Sequence, residues 1–254
     1  MKYITTLLLL IVCSNLHAHK YNDSSVLVVN YSCNIDYLHR NKIPNYNSTL
    51  LLNTDKSYYF QERNPNFQLA KNENEVVVKT NRKTQNHIVS TNFSTNEMVF
   101  SDEVYMNKYF QKYILDNVKI NWEIFYDSSS IILNYKCFLA KTKFRGRMYH
   151  AWFTPDIKFN GGPWKFKDLP GLILKIYDTN RDLTWEVNSI DKKNILFPEE
   201  PKSTIRYQDY SKTTKSFLQK MIRAQESNNS VDPLCSSCSQ AKFNINIIES
   251  DLLK

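Results

Sequence analysis

The sequence predicts an α+β domain dominated by antiparallel β structure: a strongly curved sheet or open barrel with one C-terminal helix packed on it. Three observations carry this. Short segments of period-two alternation recur along the chain, separated by polar turn formers. Only one segment, late in the chain, has apolar residues at helical spacing with no internal Pro or Gly. No repeat occurs, and no linker is long enough to divide the chain into domains.

In chain order, residues 1–18 read as an export signal. Lys2 supplies the positive start, residues 4–12 an apolar core too short to span a bilayer, and Ala18 the small residue at the cleavage point. Residues 19–254 are then a single β-rich domain. Residues 26–37 alternate, with Tyr31, Cys33, Ile35 and Tyr37 on one face. Strands at 50–52 and 58–60 flank Asn53, Thr54, Asp55 and Lys56, a hairpin signature. Residues 76–79, 87–92 and 97–100 read as further strands. Residues 118–125 alternate, with Val118, Ile120, Trp122 and Ile124 sharing a face. A hairpin is expected from 131–143 and 147–153, turning through Phe144, Arg145 and Gly146. Another joins 172–177 to 183–190 through residues 178–181. The helix is expected over 208–227, with Phe217, Leu218, Met221 and Ile222 as its stripe. A short apolar strand over 243–248 ends the chain.

Composition narrows the partners. The 254 residues are 42% hydrophobic and 13% aromatic, enough for a sizeable core. The net charge of +8 comes from basic residues scattered among acids in an Asn- and Lys-rich chain. An exported protein of this pattern is not expected to meet nucleic acid. Lys141, Lys143, Arg145 and Arg147 make a basic hairpin tip, either a solvated turn or a contact for anionic lipid or polysaccharide. No later stretch reaches the ~18 apolar residues of a membrane helix, so the mature protein is not expected to be transmembrane. Four cysteines follow the signal: Cys33, Cys137, Cys235 and Cys238. Export permits disulfides among any of them. Cys235 and Cys238 are spaced Cys-x-x-Cys, which reads as a structural bridge, a redox pair, or half of a copper or zinc site. Cys33 and Cys137 lie mid-strand on apolar faces, as buried thiols or a bridge.

All four glycines lie between 146 and 171. Four blocks surround them: Phe144-Arg145-Gly146-Arg147, then Ala151-Trp152-Phe153-Thr154-Pro155-Asp156-Ile157, then Gly162-Pro163-Trp164-Lys165-Phe166, then Leu169-Pro170-Gly171-Leu172-Ile173-Leu174. In this order and spacing the blocks resemble the GLPGLI family, exported proteins of Bacteroidetes named for a Gly-Leu-Pro-Gly-Leu-Ile signature. The resemblance spans about residues 130–190. Tyr135-Lys136-Cys137 looks like the family's cysteine before the hairpin, and the late helix fits the family layout. The resemblance implies a periplasmic or cell-envelope protein of a Gram-negative bacterium. It brings no settled enzymatic activity, and some members stand beside outer-membrane transport systems. One position departs: Asp168 stands where the signature has its first glycine. Asp tolerates positive φ, so either the backbone is unchanged or the position never needed glycine. Leu169-Pro170-Gly171-Leu172 reads as a type II turn.

No hydrolase elbow, zinc-protease helix, phosphate loop or dinucleotide fingerprint occurs. The aromatics Trp152, Phe153, Phe159, Trp164 and Phe166 surround the glycines, either as core or as the lining of a lipid, peptide or sugar pocket. The expected function is binding: an exported accessory protein for an apolar ligand, a peptide or an envelope partner. The alternatives are a copper-handling protein and an unrecognised hydrolase or peptidase.

Overall fold

The computed structural model describes residues 25–35, 45–61, 87–105, 109–199, 202–203, 205–228, 249 and 251. Among the described residues, twelve strands form one sheet. In chain order they are β1 (Ser25–Ile35), β2 (Asn45–Leu52), β3 (Lys56–Gln61), β4 (His87–Asn92), β5 (Glu97–Tyr105), β6 (Tyr109–Asp116), β7 (Glu123–Ile132), β8 (Tyr135–Phe144), β9 (Arg147–Thr154), β10 (Leu172–Asp178), β11 (Leu183–Asn194) and β12 (Ile205–Arg206). The helix α1 (Tyr207–Asn228) follows directly.

The spatial order is β12-β6-β5-β4-β3-β2-β1-β11-β10-β9-β8-β7. Two antiparallel meanders, β1 to β6 and β7 to β11, are therefore joined where the first strand of one pairs with the last strand of the other. That seam runs from Ser25 opposite Asn194 to Ile35 opposite Leu183. The sheet is not closed. Its outer strands are β7 and β12, so the barrel form expected from the sequence is not adopted. Strand β12 lies parallel to β6, and α1 packs on β5, β6 and β12, at one end of the sheet. Among the described residues no helix is long and apolar enough to cross a membrane.

Local chemistry explains the connections. Asn53 accepts hydrogen bonds from the backbone N–H groups of Asp55 and Lys56, closing the β2–β3 turn as its composition predicts. The β8–β9 hairpin turns on two residues, Arg145 (φ 47°) and Gly146 (φ 83°), with Phe144 opposite Arg147. Positive φ at both positions is the type I′ geometry that matches strand twist.

Three expectations are corrected. Residues 131–143 are not one strand: Leu133 (φ 48°) and Asn134 (φ 66°) make a second such turn, and the chain doubles back from β7 into β8. Residues 118–122 are a connector between the meanders, and β7 begins at Glu123. Their alternation is real, since Val118 and Ile120 are buried while Lys119 and Asn121 are exposed. It records burial under a neighbouring loop rather than strand pairing. The predicted type II turn is a γ-turn, in which Gly171 N–H donates to the Leu169 carbonyl (2.8 Å) around Pro170, whose fixed φ suits that turn. The predicted strands at 76–79 and 243–248, and Cys235 and Cys238, lie outside the described residues.

The main core fills one face of the sheet. Trp185, Tyr31, Tyr59, Tyr149, Phe100 and Phe153 are its largest fully buried side chains from strands. Tyr31 donates to the Ile173 carbonyl (2.8 Å) and Trp185 Nε1 to the Tyr59 hydroxyl (3.1 Å), bonds that cross between the two meanders. A smaller cluster, Val26, Val28, Leu51 and Tyr58, occupies the opposite face, with Phe60, Ile88 and Phe197 against it. Residues 26–29 are apolar without a break because both faces are covered there.

Candidate functional site

The stretch 160–171 folds back over the core. Gly161 bridges Lys167, Phe166 N–H donates to the Pro163 carbonyl (3.1 Å), and Asp168 N–H to the Asn160 carbonyl (3.3 Å). Gly162 and Pro163 are buried, with Gly162 packed against Ile173. At Gly171 (φ 148°) a Cβ would fall onto the Thr154 carbonyl oxygen, so close backbone approach requires glycine there. Leu169 is buried and Pro170 exposed.

Within this stretch side chains part into two neighbourhoods. Trp164 and Phe166 enter a cluster of rings. Phe166 lies 4.7 Å from Tyr149, 5.2 Å from Trp164, 5.8 Å from Trp185 and 5.9 Å from Phe144, each edge to face. Trp164 stacks on Trp185 at 6.1 Å. These spacings are those of packed aromatic pairs, so the rings form core rather than a ligand pocket. Phe153 is fully buried, whereas Trp152 and Phe159 are half-buried and pack against the core from its rim.

Lys165 and Lys167 enter a polar neighbourhood. Only 1% of the Lys165 side chain is exposed, and its ammonium pairs with Glu249 and sits 3.1 Å over the Phe100 ring. Glu249 also accepts from the Tyr207 hydroxyl (2.9 Å). Arg145 pairs with Asp116, lies 3.9 Å from Glu249, and stacks 3.7 Å over Tyr207. Tyr210 donates to Asp102 (2.6 Å). Burial pushes the Lys165 ammonium below its ordinary pKa, with Glu249 opposing the shift. Burial also works against the Arg145 charge, but Glu249 and Asp116 outweigh it and raise that pKa. The Asp251 carboxyl is raised by burial and by neighbouring Glu249. The Lys167 ammonium bonds to Asn96 (2.6 Å) and to Asp168 (3.1 Å).

Asp168 resolves the departure from the signature. Its φ is 72°, so the position is left-handed and Asp keeps the backbone a glycine would adopt. Its carboxylate also accepts from Ile120 N–H (2.9 Å), and Trp122 Nε1 donates to the Lys167 carbonyl (2.8 Å). The connector between the meanders is thus pinned to this loop.

The basic hairpin tip is corrected in part. Arg145 is engaged as described, and Arg147 pairs with Asp178 (2.9 Å) and Asp182 (3.4 Å) at the β10–β11 turn. Both arginines are consumed inside the protein. Lys141 lies 4.9 Å over Phe125. Cys33 and Cys137 are free, buried thiols. Burial raises the pKa of both, Cys137 to about 11, which makes neither a ready nucleophile or ligand. His150 stacks on Tyr177 (5.4 Å), and burial together with Lys141 and Arg181 lowers its pKa. Among the described residues no three His, Cys, Asp or Glu side chains group to hold a metal.

Sequence reasoning missed Lys165, Asp116, Glu249 and Tyr207 as partners. It also missed an exposed apolar set on the outermost strand and its turn: Tyr126 (59% exposed), Ile131 (68%) and Leu133 (43%).

Comparisons with known proteins bear on the fold and on one segment. A family model described as "Protein of unknown function (Porph_ging)" matches residues 144–175, from the last residue of β8 into β10. That span contains the signature blocks. A search of curated proteins finds no match. Two solved structures share the fold. PNGF-II in space group P21 superposes with a TM-score of 0.50 at 20% identity, covering 74% of this chain and 33% of that one. PNGF-II in space group C2 gives 0.50 at 19%, covering 74% and 32%. The chain therefore spans about a third of PNGF-II, and at this identity the likeness is one of fold. What the comparisons support is a mainly antiparallel sheet with one C-terminal helix, in which a short segment is similar to a family of unknown function.

Proposed function

We propose that this chain is an exported, GLPGLI-type protein of the cell envelope that works by binding a partner protein or peptide rather than by catalysis. The observation that carries the reading is the apolar surface on β7. Tyr126, Ile131 and Leu133 lie exposed on the last strand of an open sheet and the turn that follows it. That edge is guarded against strand pairing by Glu123, Asp127 and an irregularity between Phe125 and Ser129, so the apolar groups offer side-chain contact rather than a free edge. Exposed apolar groups there mark a contact surface. The signature segment supports the same reading from the other side: its Trp164, Phe166 and Leu169 are turned into the core, so the segment serves architecture. We further read the sheet as strongly curved, because Arg145 of the β8–β9 turn meets Asp116 of β6 although those strands are far apart in sheet order.

The test is photo-crosslinking from position 131 in the native host, with cell fractionation. The expected result is a discrete adduct in the envelope fraction, lost in Tyr126→Ser/Leu133→Ser, and a mature protein beginning at His19. Retention of residues 1–18 in the cytoplasm would overturn export. Correct export without any adduct would overturn the binding role of β7.

A further inference from the structure

A second site lies elsewhere, on the outer side of the seam between the meanders. A recess of about 290 Å³ is lined by Asn30, Asn47, Thr49, Phe60 and Asn188, with Tyr31 and Ser48 at its base. Its volume stands at the lower end of the ~300–1,000 Å³ typical of small-molecule sites. No charged side chain lines it.

Part of its polar lining is held in place. Asn30 Nδ2 donates to Ser189 (2.9 Å), and Thr49 donates to Asn30 Oδ1 (2.8 Å). The Ser32 hydroxyl has two acceptors at 3.3 Å, the Glu186 carbonyl and Asn188 Oδ1, and neither bond uses the Asn188 Nδ2 hydrogens, which stay available to a ligand. Asn47 is exposed and carries both a donor and an acceptor. The seam itself is irregular here. Its register shifts between Asn30, opposite Ser189, and Tyr31, opposite Val187, so Asn188 is the extra residue. A bulge of this kind re-aims a side chain, and such bulges gather beside binding sites. On the same face β1 changes from buried Val26 and Val28 to half-buried Asn30 and Ser32. The half-buried Phe60 ring adds one flat apolar face.

We propose that this recess binds a neutral polyhydroxyl ligand, a sugar unit of monosaccharide size. The exposed amides of Asn47 and Asn188 beside a single ring suit a ligand that is at once donor, acceptor and apolar-faced. An anion or cation finds no counter-charge among the lining residues. A peptide strand finds no free backbone, because both β1 and its neighbours β2 and β11 are interior to the sheet.

The site is independent of the β7 surface, so its test leaves that reading untouched. The isotope-labelled whole protein is titrated with methyl glycosides of glucose, galactose, mannose and N-acetylglucosamine, each to about 10 mM, a range that reveals weak millimolar binding. N-acetylasparagine amide serves as the neutral amide comparator. The expected result is saturable movement of the Asn47 and Asn188 side-chain amide signals with at least one glycoside. Asn47→Ala and Asn188→Ala, both exposed and safe for folding, should each weaken binding roughly tenfold, the scale of one lost hydrogen bond. No saturable movement with any glycoside, equal binding of the amide, or binding unchanged by both variants overturns the proposal.

Discussion

The loop over the core treats alternate residues differently. Trp164 and Phe166 meet rings, while Lys165 and Lys167 meet carboxylate and amide oxygens, all within one tight turn. Both sides are dry, yet they differ in what they depend on. The ring side gains from apolar area, and any well-packed neighbour supplies it. The ionic side depends on a particular partner: Lys165 is held by Glu249, far along the chain, and is costly to keep buried without it. The first side contributes stability. The second contributes register, fixing where the late part of the chain docks.

Four outcomes would break or sharpen that contrast. The largest is alkaline. Burial raises the Tyr31, Tyr59 and Tyr149 phenols above their ordinary value of 10.0, so the folded protein keeps protons that the unfolded chain releases. Their contribution is complete below pH 10 and is lost as pH rises beyond it, on the order of 1 kcal/mol per tyrosine per pH unit. Urea midpoints measured from about pH 9 to about pH 11 should fall steeply. A flat profile would mean the phenols already ionise in the fold.

Next is Phe166→Ala, which empties the centre of the ring cluster and should cost about 3–5 kcal/mol in urea unfolding. A loss under about 1 kcal/mol would show that the rings repack around the gap.

Glu249→Ala should then cost about 3 kcal/mol, because it leaves the buried Lys165 ammonium without its ion-pair partner. Lys165→Met combined with Glu249→Leu should recover most of that loss, since an apolar pair of similar volume is often as stable as a buried ion pair. If the double variant is no better than the single, the ionic side acts through charge rather than docking alone.

The smallest effects fall on Asp168. Asp168→Ala loses the hydrogen bond to Ile120 and keeps the left-handed strain, a cost of about 2 kcal/mol. Asp168→Gly loses the same bond but relieves the backbone, and should cost about 1 kcal/mol or less. Equal losses in thermal unfolding would assign the whole effect to the carboxylate.

Much of the sheet was legible because its turns are chemically marked. Asn53 at β2–β3, Gly146 at β8–β9 and Asp178 at β10–β11 each announce a reversal. The β7–β8 turn was not legible, because its first residue is Leu133, which adopts positive φ against its own preference. Strand β6 was missed because Tyr109-Phe110-Gln111-Lys112-Tyr113 has no clean period. The ring cluster could be read from the density of aromatics between 152 and 166. The ionic cluster could not. Lys165 looks in sequence like any surface lysine, and Asp116, Tyr207 and Glu249 reach it only through the tertiary fold. The single resolvable clue was Asp168, whose tolerance of positive φ is a property of the residue itself.

The seam between the meanders has a kinetic consequence. Val26 pairs with Lys193 and Ile35 with Leu183, so β1 must wait for β11, which is made after the other strands of both meanders. Each meander can assemble through near-neighbour hairpins, but β1 stays an unpaired, apolar edge on its β11 side until most of the chain has emerged. Long-range pairing of this kind is slow and leaves the waiting edge open to other chains. The β11 side of β1 is therefore the edge most open to foreign pairing while the chain is being made.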